Sequence, residues 1–132
     1  MLTRVHHVGI AVVDLDESIE LYRAALGAEL VHRARNEKDG IEAAFLRTGD
    51  GEVELMSATT PDSPVGKFLA KRGPGLHHVA YGVSDIGGAL AHARAAGLDL
   101  IDSEPRMGMH GSLIAFVHPK SMGGVLTELV QT

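Results

Sequence analysis

The sequence predicts an α+β fold made of two tandem βαβββ modules, and three observations carry that reading. The first is an internal repeat: a shift of 71 places lays His6-His7-Val8 on His77-His78-Val79, Val12 on Val83, Asp14 on Asp85 and Arg23-Ala24-Ala25 on Arg94-Ala95-Ala96. The second is that each copy passes from a strand-like run through an aspartate into an amphipathic stretch that stops at glycine, Gly27 or Gly97. The third is that three further strand-like runs follow each of those stretches.

Taken in order, about 6–13 reads as a strand, Asp14 as a helix N-cap, and Leu15, Ile19, Tyr22 and Leu26 as the apolar stripe of a helix closed by Gly27. Strands follow near 28–33, 41–47 and 52–57. In the second copy Asp85 caps a helix whose stripe is Ile86, Leu90 and Ala93, and strands follow near 98–102, 111–118 and 124–131. Between the copies, Ser63-Pro64 before Val65, Phe68 and Leu69 predicts a short helix with proline in its first turn, ended by Gly73-Pro74-Gly75. The organisation is one domain over 1–132, with module one at about 1–57, a linker at about 58–74 and module two at about 75–132.

The 132 residues are 45% apolar, enough for one buried core without covalent staples. Cysteine is absent, which excludes disulfides, thiolate metal sites and cysteine nucleophiles; a transition-metal site must use His, Asp or Glu. A net charge of −5 and few aromatics argue against nucleic-acid binding. No apolar run is long enough for a membrane span, and Met1-Leu2-Thr3-Arg4 leads straight into strand-like sequence, so no membrane partner and a cytoplasmic location are expected. Eight histidines are the unusual feature.

Strand alternation sorts them. If Val8, Ile10 and Val12 pack under the first helix, His7, Gly9 and Ala11 line the opposite face; Val79, Tyr81 and Val83 divide from His78, Ala80 and Gly82 in the same way. Two equivalent histidines, each followed along its face by small residues, describe a concavity with a nitrogen ligand on each side. By the same alternation His6 and His77 turn toward the helix-packed side, and His32 and His92 read as surface residues. Glu54 and Glu128 occupy corresponding last strands, and Glu128 shares its face with Leu126 and Val130, a costly setting for a carboxylate without a compensating cation or donor. A set of two His and two carboxylates suits zinc, cobalt, manganese, nickel or iron(II).

The double βαβββ pattern with a histidine in each first strand and a glutamate in each last strand resembles the vicinal oxygen chelate superfamily along the whole chain. More narrowly, Asp62–Leu69, Gly75-Leu76-His77-His78-Val79-Ala80, Glu104-Pro105-Arg106, His118-Pro119-Lys120-Ser121 and Gly124–Leu129 resemble the methylmalonyl-CoA epimerase family. The resemblance implies a cup-shaped, barrel-like mixed sheet with the helices outside, usually in a homodimer. It implies epimerisation of (2R)- and (2S)-methylmalonyl-CoA at a divalent ion (Co2+, Mn2+, Zn2+ or Ni2+) held by His7, Glu54, His78 and Glu128, with Glu128 also acting as an acid–base group. It further implies an acyl-CoA partner. Lys120, Ser121, His110 and Gly111 are candidate substrate contacts, and Lys67, Lys71, Arg72 and Arg106 are further charges available for its phosphates. Met107–Ser112 reads either as a flexible wall over the acyl group or as a glycine-rich turn.

Removal of a proton between a thioester and a carboxylate, then return of one on the opposite face, calls for two acid–base groups. Some relatives carry a glutamate where this chain has Ala43, and Gln where it has Glu54. Glu42 is adjacent to Ala43, but one step along a strand reverses the face, so Glu42 points away from the site unless the strand is bulged. Three other readings share the superfamily pattern: a glyoxalase-type lyase, a metal-dependent dioxygenase, and a drug-binding resistance protein without catalysis.

Overall fold

The computed structural model describes all residues, Met1–Thr132. Eight strands and three helices follow in the order β1 Leu2–Ala11, α1 Leu15–Leu26, β2 Glu29–Asn36, β3 Ile41–Thr48, β4 Gly51–Ala58, α2 Pro64–Arg72, β5 Gly75–Val83, α3 Ile86–Ala95, β6 Arg106–Met107, β7 Leu113–Val117 and β8 Thr127–Gln131. The fold is α+β, with the strands hydrogen-bonded in the order β2-β3-β4-β1-β5-β8-β7-β6. The residues divide into two compact units, Val8–His77 and Met1–His7 with His78–Thr132, so that β1 and β5 each contribute to both.

In the unit Val8–His77, β2, β3 and β4 form an antiparallel meander. Ala44, Leu46 and Leu55 face Val12, Leu15 and Ile19, forming the core beneath α1. The Asp14 carboxylate accepts the Glu17 amide at the start of α1, and Gly27, at φ 70°, lets the chain turn back on its last carbonyls. Leu26 falls on the expected stripe yet is 72% exposed, because the core beneath α1 ends at Tyr22 and Ala28. The linker helix is α2, with Pro64 in its first turn and the Ser63 hydroxyl accepting the Gly66 amide at 3.0 Å. At the β2–β3 turn Gly40 is required twice over: its φ is +65°, and a Cβ there would stand 2.6 Å from Thr60 Oγ1 and 2.7 Å from Ser63 Cβ.

In the other unit β5 runs parallel to β8, while β7 is antiparallel to both β8 and β6. Val83, Ala115, Val117 and Leu129 pack under Ile86, Ala89 and Leu90 of α3. This helix ends one residue earlier than expected for a direct glycine cap: Ala95 is its last residue, Ala96 stays near helical and Gly97 takes the left-handed φ of 85°, with Leu98 N donating to Ala93 O. The strand expected near 98–102 is reduced to a single bridge between Leu100 and Val117, and the two-residue β6 appears beyond it. Asp102 explains the break. Its carboxylate, in place of a strand carbonyl, accepts the Phe116 amide at 2.9 Å and the Arg106 guanidinium at 3.1 Å, while the Phe116 carbonyl takes both the Ile101 and Asp102 amides. Pro105, with no amide hydrogen, then precludes a continuous ladder.

Candidate active site

Three of the residues singled out by alternation meet within the unit Met1–His7 with His78–Thr132. Glu128 lies opposite Ala80 on β5 and opposite Phe116 on β7, so it stands on the face away from α3, next to Val130 and its partner Ile114. His78, two residues before Ala80, shares that face, and its ring meets Phe116 edge to face with centroids 5.5 Å apart. His7 Nε2 is 3.1 Å from His78 Nε2. Glu128 Oε1 is 3.5 Å from His7 Nε2, and Oε2 is 3.7 Å from His78 Nε2. All three side chains are buried. A burial of this kind is expensive for a carboxylate in apolar company, and two imidazoles offset it only in part.

The donor chemistry fits a divalent ion. Ligands about 2.0–2.2 Å from a common centre are separated by about 2.8–3.1 Å in octahedral and about 3.3–3.6 Å in tetrahedral arrangements, close to the 3.1, 3.5 and 3.7 Å found between these atoms. Borderline imidazole nitrogen with hard carboxylate oxygen suits zinc, cobalt, manganese or nickel.

Glu54 belongs to the other unit. It is buried on β4 opposite Phe45 of β3, on the same face as the neighbouring pair Ala43 and Met56. Ala44, Leu46 and Leu55 alternate with these residues and face α1. Glu42 is on that helix side too: its Oε2 accepts Arg33 Nε at 3.0 Å, and Arg33 Nη1 reaches Asp16 of α1 at 2.6 Å. Asp16, and after it Glu42, hold the Arg33 guanidinium above its ordinary pKa. The register from Ile41 to Thr48 runs unbroken against β4, so no bulge turns Glu42 back.

The remaining histidines separate as follows. His77 packs edge-on against Phe68 of α2. His32 and His92 are exposed, His32 stacking on Phe45. His6 departs from expectation: its Nδ1 lies 2.8 Å from His7 Nδ1, and its ring lies 5.4 Å from that of His110. His6, His7 and His110 therefore form a second cluster of ring nitrogens. Alternation assigns the direction of a Cβ, not the reach of an imidazole edge, so sequence reasoning missed this contact; the His-His dipeptide was the available signal.

His110 and Gly111 lie in the turn between β6 and β7, where Gly111 N donates to Gly108 O at 3.2 Å. Lys120 and Ser121 both attach to Asp99, through Nζ to Oδ2 at 3.1 Å and through Oγ accepting the Asp99 amide at 2.9 Å. Arg106 is held by Asp102 and lies over the Phe116 ring, and Arg72 lies over Phe68. Lys67 and Lys71 are exposed on α2.

Residues 6–116 match the family model described as the glyoxalase/bleomycin resistance protein/dioxygenase superfamily. The chain belongs to that superfamily. Within it, several full-length relatives are named epimerases. An ethylmalonyl-CoA/methylmalonyl-CoA epimerase of Cereibacter sphaeroides is 39% identical over 134 residues, covering 99% of both chains. A methylmalonyl-CoA epimerase solved in complex with methylmalonyl-CoA and NH4+ is 44% identical, with a TM-score of 0.95 over 100% of this chain and 96% of that one. A Streptomyces coelicolor methylmalonyl-CoA epimerase variant in complex with 2-nitronate-propionyl-CoA has the same identity, TM-score and coverage. This superfamily member is thus an enzyme of the methylmalonyl-CoA epimerase family, with their eight-stranded α+β fold. None of its helices is long and apolar enough to cross a membrane.

Proposed function

We propose that the chain interconverts (2R)- and (2S)-methylmalonyl-CoA in a metal-dependent reaction, with His7, Glu54, His78 and Glu128 as the ligands. The observation that carries this reading is the buried convergence of two imidazole nitrogens and a carboxylate in a chain similar over its full length to epimerases. Glu54 enters by its place in the repeat, on the last strand of the first half as Glu128 is on that of the second, and by its burial. Bound there, a divalent ion supplies a chelating centre for the thioester and carboxylate oxygens and neutralises charge that develops when the α-proton leaves.

The acid–base work belongs to the chain. A Glu128 carboxylate oxygen takes the α-proton, and its apolar neighbours Phe116, Ala80 and Val130 keep bulk water from competing for it. By the family resemblance the second group would come from position 43, where Ala43 has no functional atom, and the adjacent Glu42 is committed to Arg33 on the helix side. Water returns the second proton. His110, Gly111, Lys120 and Ser121 are the substrate contacts of this reading, with Lys120 exchanging its Asp99 partner for a phosphate. A cytoplasmic homodimer completes it, on the strength of the family resemblance.

The test is incubation of each epimer in deuterium oxide with metal-loaded protein, following inversion and α-deuterium incorporation together. Both should occur, and both should stop on chelation and return with cobalt or manganese. His7→Ala and His78→Ala should each lose metal and turnover while remaining folded. Full activity in rigorously metal-free protein, or no exchange from either epimer, refutes the reading.

A further inference from the structure

His7 presents its two ring nitrogens to different partners. Nε2 faces His78 Nε2 and Glu128 Oε1, at 3.1 and 3.5 Å, whereas Nδ1 lies 2.8 Å from Nδ1 of its sequence neighbour His6. A neutral imidazole carries one hydrogen, and a nitrogen that donates its lone pair to a metal cannot hold it. For Nε2 of His7 to serve as a ligand, the hydrogen must reside on Nδ1, where it needs an acceptor. His6 Nδ1, 2.8 Å away, is such an acceptor. Two Nδ1 atoms 2.8 Å apart share a single hydrogen, so if His7 donates, His6 carries its own hydrogen on Nε2. The His6 ring is well placed to remain in that orientation: it is half-buried, with the rings of His7 and His110 at 5.1 and 5.4 Å.

We infer that His6 is a positioning residue for His7, its Nδ1 accepting the Nδ1–H of His7 and so fixing the tautomer whose Nε2 lone pair points at His78 and Glu128. The purpose of this hydrogen bond rests on the metal reading above; the bond itself does not. Partners of this kind, one shell beyond the ligands, orient the ring and raise ligand basicity, and their loss typically weakens metal binding by about 10- to 100-fold.

The experiment has two arms. In the first, zinc affinity is measured by competition with a chromophoric chelator for the wild type, His6→Ala and His6→Asn. His6→Ala should bind about 10- to 100-fold more weakly, and His6→Asn, whose amide oxygen can accept the same hydrogen, should recover most of the loss. Equal affinity in wild type and His6→Ala overturns the inference. So does a second zinc per wild-type chain that His6→Ala abolishes, since His6 would then be a ligand itself.

In the second arm, 15N spectra of metal-free wild type should show the His7 hydrogen on Nδ1 and a 15N–15N coupling across to His6. A His7 hydrogen on Nε2 overturns the inference regardless of the zinc result. The two arms together separate the readings: coupling in the metal-free spectra of a wild type that takes up no zinc in the first arm defeats the metal proposal and leaves the His6–His7 bond standing.

Discussion

Replacing Glu128 with Gln should separate what the carboxylate does for turnover from what it costs the fold. Glu128 is 4% exposed and lies opposite Ala80 and Phe116, so no bulk water can take over its charge or its proton transfer. A positioned acid–base group contributes about 10²–10⁴ in rate, about 2.7–5.5 kcal/mol on the barrier. Stability moves differently. An ionised carboxylate in this setting carries a desolvation cost of several kcal/mol, offset in part by imidazole nitrogens at 3.5 and 3.7 Å. Gln keeps the size and an acceptor oxygen without the charge. Metal-free Glu128→Gln should therefore be as stable as the wild type, or more stable by about 1 kcal/mol. With metal at 100 times the wild-type Kd, the wild type gains about 2.7 kcal/mol by mass action, and a variant binding 100-fold more weakly gains about 0.4. Urea unfolding with and without cobalt, beside deuterium exchange and inversion rates, reads all three quantities. Loss of several kcal/mol in the metal-free variant, or turnover within tenfold of wild type, would show that the carboxylate braces the fold and does not serve the reaction.

Ala43→Glu restores a carboxylate on the face of β3 that Phe45, Glu54 and Met56 occupy, and should raise inversion relative to solvent exchange when both are followed in deuterium oxide. Glu42→Gln should leave both rates unchanged and cost about 0.2–1 kcal/mol in urea unfolding, the range of a partly exposed ion pair; a collapse of turnover would make Glu42 the second base. Gly40→Ala should lower the urea midpoint by an amount equivalent to about 1–3 kcal/mol, since the new Cβ meets both a left-handed backbone and Thr60 and Ser63; a change below about 0.5 kcal/mol would mean the turn relaxes freely.

The two-module fold is legible because the repeat states it twice, and a weak signal in one copy is read with the help of the other. The same symmetry misleads at 98–107, where the second copy has Asp102 and Pro105. A side-chain carboxylate that bonds the Phe116 amide competes with the strand pairing that the first copy completes through β2. Leu26 fails for a different reason. Periodicity tells which side of a helix an apolar residue occupies, but whether anything lies beneath it depends on the length of the packed face, and here that face ends a turn earlier.

Glu128 was legible through contradiction: a carboxylate among apolar strand neighbours has no account in core packing, so a site is the economical explanation, and the structure brings His7 and His78 to it. His6 carried no such contradiction. A second histidine at a strand position invites no remark until the distance between two Nδ1 atoms is known. The missing base shows how finely the chemistry depends on register. Glu42 and Ala43 differ by one step in sequence and by a whole face in space, and Arg33, tied to Asp16 on α1, holds Glu42 on the helix side. A chain with its carboxylate one residue along would have two acid–base groups for two faces. On the proposed reading this one has Glu128 and water; once the Glu128 carboxyl has exchanged its proton with that water it can return a solvent deuteron from the same side, and solvent exchange should then outrun inversion from at least one epimer.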